Sequence, residues 1–154
     1  SGPLLASLAV TYRCNQRCSY CELPERGIAD KELQTEGFKK IIDQLIKLEA
    51  SSISFTGGEP LIRKDVPELI RYIKKSGTST NLTTNGMLIT PELSEVIIDA
   101  GLDSIGISLD SANRKNVNKA RGTSKAFDAA INAITHMAES KKKKAQIPQI
   151  LLSQ

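Results

Sequence analysis

Short apolar segments rich in β-branched residues alternate along this chain with longer segments in which apolar residues recur every three or four positions. The short segments are typical of buried strands, and the longer ones are typical of amphipathic helices. The predicted strands comprise residues 8–12, 52–55, 80–84, 104–109 and 147–152. The predicted helices run from 35 to about 50, from 66 to 75, from 91 to about 100 and from about 124 to 141.

Local signals mark several helix ends. Thr35 and Thr90 are predicted N-caps, because a hydroxyl can accept a hydrogen bond from a free N–H of the first turn. Gly77 and Gly101 are predicted stops, because glycine readily adopts the left-handed conformation that ends many helices. The alternation of strands and helices predicts an α/β fold with a parallel sheet. In such a fold the loops that follow the strands gather at one edge, where functional sites are built.

Composition narrows the class of protein. The 154 residues are 40% hydrophobic and 25% charged, which fits an ordinary soluble domain with one core. No apolar stretch approaches the roughly 20 residues of a membrane span, and no signal peptide is evident, so we expect a cytoplasmic protein without a membrane partner. The net charge is +4, but four lysines form one run at a predicted helix end, where they complement the helix dipole. With three Tyr, three Phe and no Trp, we expect no nucleic-acid partner.

The three cysteines are the strongest chemical signal. Cys14, Cys18 and Cys21 lie within eight residues, and the chain has no others. Three thiolates at this spacing can bind three irons of a [4Fe-4S] cluster and leave the fourth iron open to another ligand. A zinc ion held by the three thiolates and His136 is an alternative, although His136 is more than a hundred residues away in a predicted helix. A disulfide is disfavoured by the odd number of cysteines and their tight spacing.

A second motif, Gly57-Gly58-Glu59-Pro60, follows the predicted strand at 52–55. Two glycines at a strand end let the backbone approach a ligand closely, a carboxylate can hold an ammonium group, and proline stiffens the turn. Together with the C-x3-C-x2-C run some forty residues upstream, this motif resembles the radical S-adenosylmethionine (SAM) superfamily. The resemblance implies a partial parallel (βα) barrel of the radical SAM type.

The chain accounts for about four βα units and a fifth strand of that barrel, which has six units in the family. We therefore expect a single core domain, 1–154, that is the N-terminal part of a larger enzyme, with a tag-cleavage scar at 1–3.

The resemblance also implies roles for individual residues. Cys14, Cys18 and Cys21 match the cluster ligands, and the amino and carboxylate groups of SAM would chelate the open iron. The positions that match the SAM site are Tyr20, Gly57, Gly58, Glu59, Pro60, Thr84, Ser108 and Arg121. Independently, Ser108 is predicted to point into the barrel, because strand alternation turns it away from the apolar Ile107 and Leu109.

The implied reaction is the reductive cleavage of SAM to a 5′-deoxyadenosyl radical, which abstracts hydrogen from a substrate. An external one-electron donor such as flavodoxin or ferredoxin would reduce the cluster, and the substrate would be a peptide or a small molecule. No catalytic side chain is assigned, since the cofactor carries the difficult chemistry.

The resemblance extends to two groups of these enzymes. One is the SPASM-type maturases of peptides and cofactors, and the other is the GTP-rearranging enzyme of molybdenum-cofactor biosynthesis. The second group has arginines for the triphosphate where this chain has Ser7 and Ser54; serine lacks the charge that phosphate recognition uses, which favours the first group.

Two further possibilities stay open, a non-catalytic Fe-S domain and an inactive fragment with idle thiols. Self-association is expected if the terminal strand, with Ile150, Leu151 and Leu152, lies unpaired at a sheet edge.

Overall fold

One five-stranded parallel sheet organises the chain. The computed structural model describes residues 2–23, 32–144 and 149–153. The strands pair in chain order and are Ala6–Thr11 (β1), Ser52–Gly57 (β2), Ser79–Thr84 (β3), Ser104–Ser108 (β4) and Gln149–Ser153 (β5). The helices are Thr35–Lys47 (α1), Val66–Lys74 (α2), Pro91–Asp99 (α3), Arg114–Ala120 (α4) and Ala126–Lys144 (α5), with a 3₁₀ turn at Pro60–Ile62. The predicted α/β fold with a parallel sheet is therefore confirmed.

Side chains alternate between the core face and the opposite face along β2, β3 and β4. The apolar side chains of β2, β3 and β4 pack into the core under the helices and are at most 1% exposed: Ile53, Phe55, Leu82, Ile105 and Ile107. Residues between them face the other way and are small or polar: Ser54, Thr56, Asn81, Thr83, Ser104, Gly106 and Ser108. Because side chains alternate along a strand, these three strands present a small or polar inner face opposite the helices.

The helix α4 was not predicted from the sequence. Its seven residues contain one buried apolar side chain, Val117, which is too few to show a helical period. The signal that marks it is the N-cap Asn113, whose Oδ1 accepts hydrogen bonds from the backbone N–H groups of Lys115 and Asn116 at 3.0 and 3.3 Å. A polar segment with a hydrogen-bonded N-cap can thus form a helix when its one apolar side chain packs into the protein interior.

The predicted N-caps had different outcomes. Thr90 caps α3, since its hydroxyl accepts from the N–H of Leu93 at 3.2 Å. The prediction for Thr35 was wrong: Gln34 is the N-cap of α1, and the Thr35 hydroxyl donates to Asp65 at 2.7 Å. Its acceptor Asp65 is the N-cap residue of α2, so this threonine links two helix starts.

Two further expectations concern the chain's ends and its relation to membranes. The predicted fifth strand began at Ile147, which lies outside the described residues, as do the side chains of Ile150, Leu151 and Leu152. The strand β5 pairs with β4, and self-association through it stays a prediction.

Within the described ranges, no helix combines the length and the apolar character needed to cross a bilayer.

Candidate functional site

The cysteine loop leaves the carboxyl end of β1, as predicted. Cys14, Cys18 and Cys21 are half-buried free thiols. They share a cavity of about 190 Å³ with residues at the ends of the next three strands. The cavity is lined by the three cysteines, Gln16, Tyr20, Thr56, Gly57, Gly58, Thr83, Thr84, Asn85, Ser108 and Arg121. Both sequence motifs therefore meet at one edge of the sheet.

Gly57 and Gly58 let the end of β2 lie directly against the start of the cysteine loop. A Cβ at Gly57 would lie 2.2 Å from the carbonyl oxygen of Thr11, and one at Gly58 would lie 2.2 Å from that of Arg13. The N–H of Gly58 donates to Thr11 O and the N–H of Glu59 donates to Arg13 O, both at 2.8 Å. From the sequence, we predicted that the two glycines allow the backbone to approach a ligand closely. In the structure they allow a close contact with the backbone of Thr11 and Arg13.

Glu59 is fully buried at the end of this contact. Its Oε1 accepts from the N–H of Leu61 at 3.0 Å and from the hydroxyl of Thr84 at 2.8 Å, and its Oε2 accepts from the N–H of Asn85 at 2.8 Å. Burial raises the pKa of Glu59, and the donated hydrogen bonds act in the opposite direction. Pro60 begins the 3₁₀ turn that follows. Glu59 therefore ties the turn after β2 to the end of β3.

Thr84 belongs to the same internal network. It is 2% exposed, its hydroxyl donates to Glu59, and the same oxygen accepts from the N–H of Gly86 at 3.1 Å. Thr84 therefore lines the cavity, whereas Glu59 is fully buried, and both side chains are engaged inside the protein. Hydrogen bonds within the protein hold these two side chains in place, without any contact with a ligand.

Asn85 was missed by the sequence reasoning. Its Nδ2 donates to Asn15 Oδ1 at 2.7 Å and lies 3.9 Å from Cys14 Sγ, while its Oδ1 accepts from the N–H of Met87 at 2.9 Å. The signal was available, because Asn before Gly is typical of a tight turn. The turn residue after β3 therefore contacts the cysteine loop directly.

Ser108 differs from the engaged polar residues. It is half-buried at the end of β4 and lines the cavity, whereas the preceding Ile107 is fully buried in the core. This orientation is the one that strand alternation predicted. Within the described part of the chain its hydroxyl has no hydrogen-bond partner, so it is free to meet a ligand.

Arg121 lies at the end of α4, beside the cavity. It is 7% exposed, and its Nε and Nη2 donate to the two carboxylate oxygens of Asp110 at 2.7 and 2.6 Å. The exposed Tyr20 donates to the same carboxylate at 3.3 Å. The resemblance implied a place for Arg121 in the SAM site, and in the structure its guanidinium pairs with Asp110.

The unpredicted helix α4 also supports the cysteine loop. The N–H of Ser19 donates to the carbonyl of Ala120 at 2.8 Å. Gly122 has a φ of +67°, and a Cβ there would lie 2.3 Å from the carbonyl oxygen of Arg17. The loop is therefore held on one side by the glycine pair of β2 and on the other by the end of α4.

A single-ion zinc site with His136 has no support in the geometry. His136 lies on α5, and its Nδ1 contacts the carbonyl oxygen of Ile89 at 3.0 Å. Among the residues with described positions, no three His, Cys, Asp or Glu side chains converge where one metal ion could bind. A four-iron cluster does not require the three sulfur atoms to converge on one ion, since each cysteine binds a different iron.

Comparison with known proteins identifies this combination of fold and motifs. The model of the Radical SAM superfamily matches residues 8–150. The chain is 39% identical over 131 residues to Fe-coproporphyrin III synthase of Methanosarcina barkeri, covering 84% of this chain and 33% of that protein. It is 33% identical over 150 residues to PqqA peptide cyclase of Bradyrhizobium diazoefficiens, covering 87% of this chain and 40% of that protein.

Solved structures show the same fold. Streptococcus suis SuiB bound to S-adenosylmethionine superposes with a TM-score of 0.81 at 22% identity, over 97% of this chain and 34% of that one. SuiB bound to its precursor peptide SuiA gives a TM-score of 0.80. These likenesses confirm the predicted partial (βα) barrel. The chain spans about a third to two fifths of the length of the proteins it matches.

Replacing Thr84 by Val should lower the free energy of unfolding by about 1–3 kcal/mol, because it removes one of the three hydrogen bonds to the buried Glu59 carboxylate and the side-chain acceptor of the Gly86 N–H. Thr83→Val is the matched control. Its side chain is exposed on the neighbouring position of the same strand, so we expect less than about 0.5 kcal/mol. Urea denaturation of both variants measures the difference, and equal stabilities would mean that the Thr84 hydroxyl is not part of the network.

Gly58→Ala should displace the cysteine loop, because the added methyl group would overlap the Arg13 carbonyl. We expect a loss of about 1–3 kcal/mol, the usual cost of overpacking. Gly37→Ala is the control, since a Cβ there would meet the flexible side chain of Leu33 at 3.2 Å and alanine favours the helix. A Gly58→Ala variant as stable as the control in urea would contradict the proposed close contact.

Proposed function

Because this chain belongs to the radical SAM superfamily, we propose that its cysteine loop binds a [4Fe-4S] cluster and that the adjoining cavity binds SAM. One observation carries this proposal: three free thiols in a single loop line the same cavity as the glycine pair and the unpartnered Ser108. Both cofactors predicted from the sequence are those of the family.

The donor set fits the cluster. Cys14, Cys18 and Cys21 supply three thiolates, and the chain contains no fourth cysteine, so one iron would remain available to the amino and carboxylate groups of SAM. Thiolate is the usual protein ligand of Fe-S clusters. The loop that carries these ligands is fixed by backbone hydrogen bonds on both sides, which holds the three sulfur atoms near the sheet edge.

Bound at this edge, the reduced cluster and SAM would supply a 5′-deoxyadenosyl radical able to remove hydrogen from an unactivated carbon. The contribution of the chain is to position the cofactors and exclude water. We assign Ser108 to a direct hydrogen bond with SAM and the backbone at Tyr20 to the adenine.

The other predicted SAM residues shape the same cavity. Gly57 and Gly58 would line the methionyl end, and Pro60 keeps the turn compact. Arg121 lines the cavity while paired with Asp110, so we assign it to the cavity wall. The fully buried Glu59 supports that wall, since it accepts a hydrogen bond from the N–H of the cavity residue Asn85. Thr84 supports Glu59 in the same way.

We further propose that the chain is the cofactor-binding part of an enzyme that modifies a peptide or a cofactor precursor. The support comes from relatives named for peptide cyclisation and for a porphyrin product, and from the fold shared with SuiB, which is known bound to a precursor peptide. An external one-electron donor of the flavodoxin or ferredoxin type would deliver the electron.

The alternative of a GTP-rearranging enzyme receives no support from the inner face of the sheet. Ser7 and Ser54 are register partners on β1 and β2, so the two positions that would carry arginines in that enzyme lie side by side. Here both are uncharged, and a triphosphate would meet hydroxyl groups instead of paired cations.

Anaerobic reconstitution with iron and sulfide tests the metal directly. We expect about four irons per chain and loss of the cluster on Cys→Ala substitution at position 14, 18 or 21, since each thiolate would bind its own iron. Ser19→Ala is the control inside the loop, because the contact of Ser19 with α4 uses its backbone N–H. Stoichiometric zinc without visible absorbance would contradict the proposal.

The SAM site is tested with Ser108→Ala in the reconstituted protein. Loss of one hydrogen bond should weaken binding by about 1 kcal/mol, which is roughly fivefold in Kd, with the iron content unchanged. Ser79→Ala, at the opposite end of a neighbouring strand, should bind SAM like the unmodified chain. Equal Kd values for the two variants, measured by calorimetry, would remove Ser108 from the site.

A further inference from the structure

We propose that the side-chain amide of Gln16 donates a hydrogen bond to a sulfur atom of the [4Fe-4S] cluster and thereby raises the reduction potential of that cluster. The acceptor would be a bridging sulfide or the thiolate of Cys18. This inference rests on the proposed cluster and assigns a positioning and tuning role to a residue between two of its ligands.

The burial of Gln16 carries the inference. The residue is 2% exposed and lines the same cavity as the three cysteines. Its Nε2 has no hydrogen-bond partner, and it is the one buried side-chain nitrogen or oxygen atom in the described part of the chain with this property. A buried donor without an acceptor is costly, so a group that supplies one there is favoured.

The orientation of the amide follows from its oxygen. Gln16 Oε1 accepts from Arg121 Nη1 at 3.5 Å, and Asp110 holds the same guanidinium through two short hydrogen bonds. Exchanging the two amide atoms would bring an NH2 group against the cationic guanidinium. Arg121 therefore keeps the oxygen on its own side and leaves the nitrogen as the free donor.

The Gln16 amide lies next to the sulfur of Cys18. The thiol of Cys18 donates to Gln16 Oε1 over 3.8 Å. Nε2 is bonded to the same Cδ atom as Oε1, so the free donor belongs to the same amide group. Cluster binding would remove the thiol proton, because iron binds thiolate, and would add sulfides that accept hydrogen bonds. Cluster binding would therefore replace the thiol donor next to this amide by negatively charged sulfur acceptors. The N–H groups of Gln16 Nε2 could donate to these acceptors.

The expected effect on the potential has a definite sign. Reduction adds one electron and makes the cluster more negative, so a hydrogen bond to its sulfur is stronger in the reduced state. Hydrogen bonds to the sulfurs are among the factors that set cluster potentials. Removing the amide donor of Gln16 should therefore lower the reduction potential of the cluster and make the cluster harder to reduce.

Gln16→Met tests this, because methionine has a similar size and no donor. We expect unchanged iron content and a reduction equilibrium about tenfold less favourable, which corresponds to a potential lower by about 59 mV for one electron. An anaerobic redox titration followed by electron paramagnetic resonance measures it. Gln44→Met, the same change at an exposed position of α1, should leave the potential unaltered; a Gln16→Met potential equal to that of the control would overturn the inference.

A second measurement does not depend on the variant folding. Glutamine labelled with 15N in its side-chain amide should give a 15N hyperfine coupling in pulsed electron paramagnetic resonance of the reduced wild-type cluster. A loaded cluster without this coupling would mean that the amide serves another acceptor, such as a buried water, and would overturn the inference while leaving the proposed function intact. Failure of the wild-type chain to bind iron at all would overturn both.

Discussion

The candidate site depends on the close backbone contact between the end of β2 and the start of the cysteine loop. Gly57 and Gly58 have no side chains to separate the two segments, and the N–H groups of Gly58 and Glu59 bond to carbonyls of Thr11 and Arg13. Because the contact is made by backbone atoms at both partners, it sets the height of the loop above the sheet within narrow limits. The polar residues at this edge are arranged around that position.

Those polar residues divide into two groups by their hydrogen bonds. Glu59, Thr84 and Arg121 are buried with partners inside the protein. Thr84 and Arg121 line the cavity, and the fully buried Glu59 supports them. Ser108 and the amide nitrogen of Gln16 line the same cavity and have no side-chain partner among the described residues, so both have capacity left for a cofactor. The distinction matters for mutagenesis, because a change in the first group alters stability and binding together, while a change in the second reports on binding.

The elements themselves followed from local pattern. Strands with alternating or continuous apolar residues and helices with a regular period were predicted to within a few residues, and Thr90 was identified as a cap. The failures have a common cause, which is that a local pattern does not reveal a distant partner. Thr35 bonds to Asp65 instead of capping its helix, and α4 forms from a polar stretch whose one buried side chain gains its environment from the rest of the fold.

The chemistry of the chain follows from local sequence: three thiols at fixed spacing, a Gly-Gly-Glu-Pro turn after a strand, and Ser108 on the inner face by strand alternation. These are properties of neighbours along the chain. The partner of each polar group depends on the tertiary fold, since Glu59 bonds to Asn85, 26 positions away, and Gln16 accepts from Arg121, 105 positions away. Such pairs depend on which strand ends the parallel sheet brings to one edge, and short-range patterns carry no information about that arrangement.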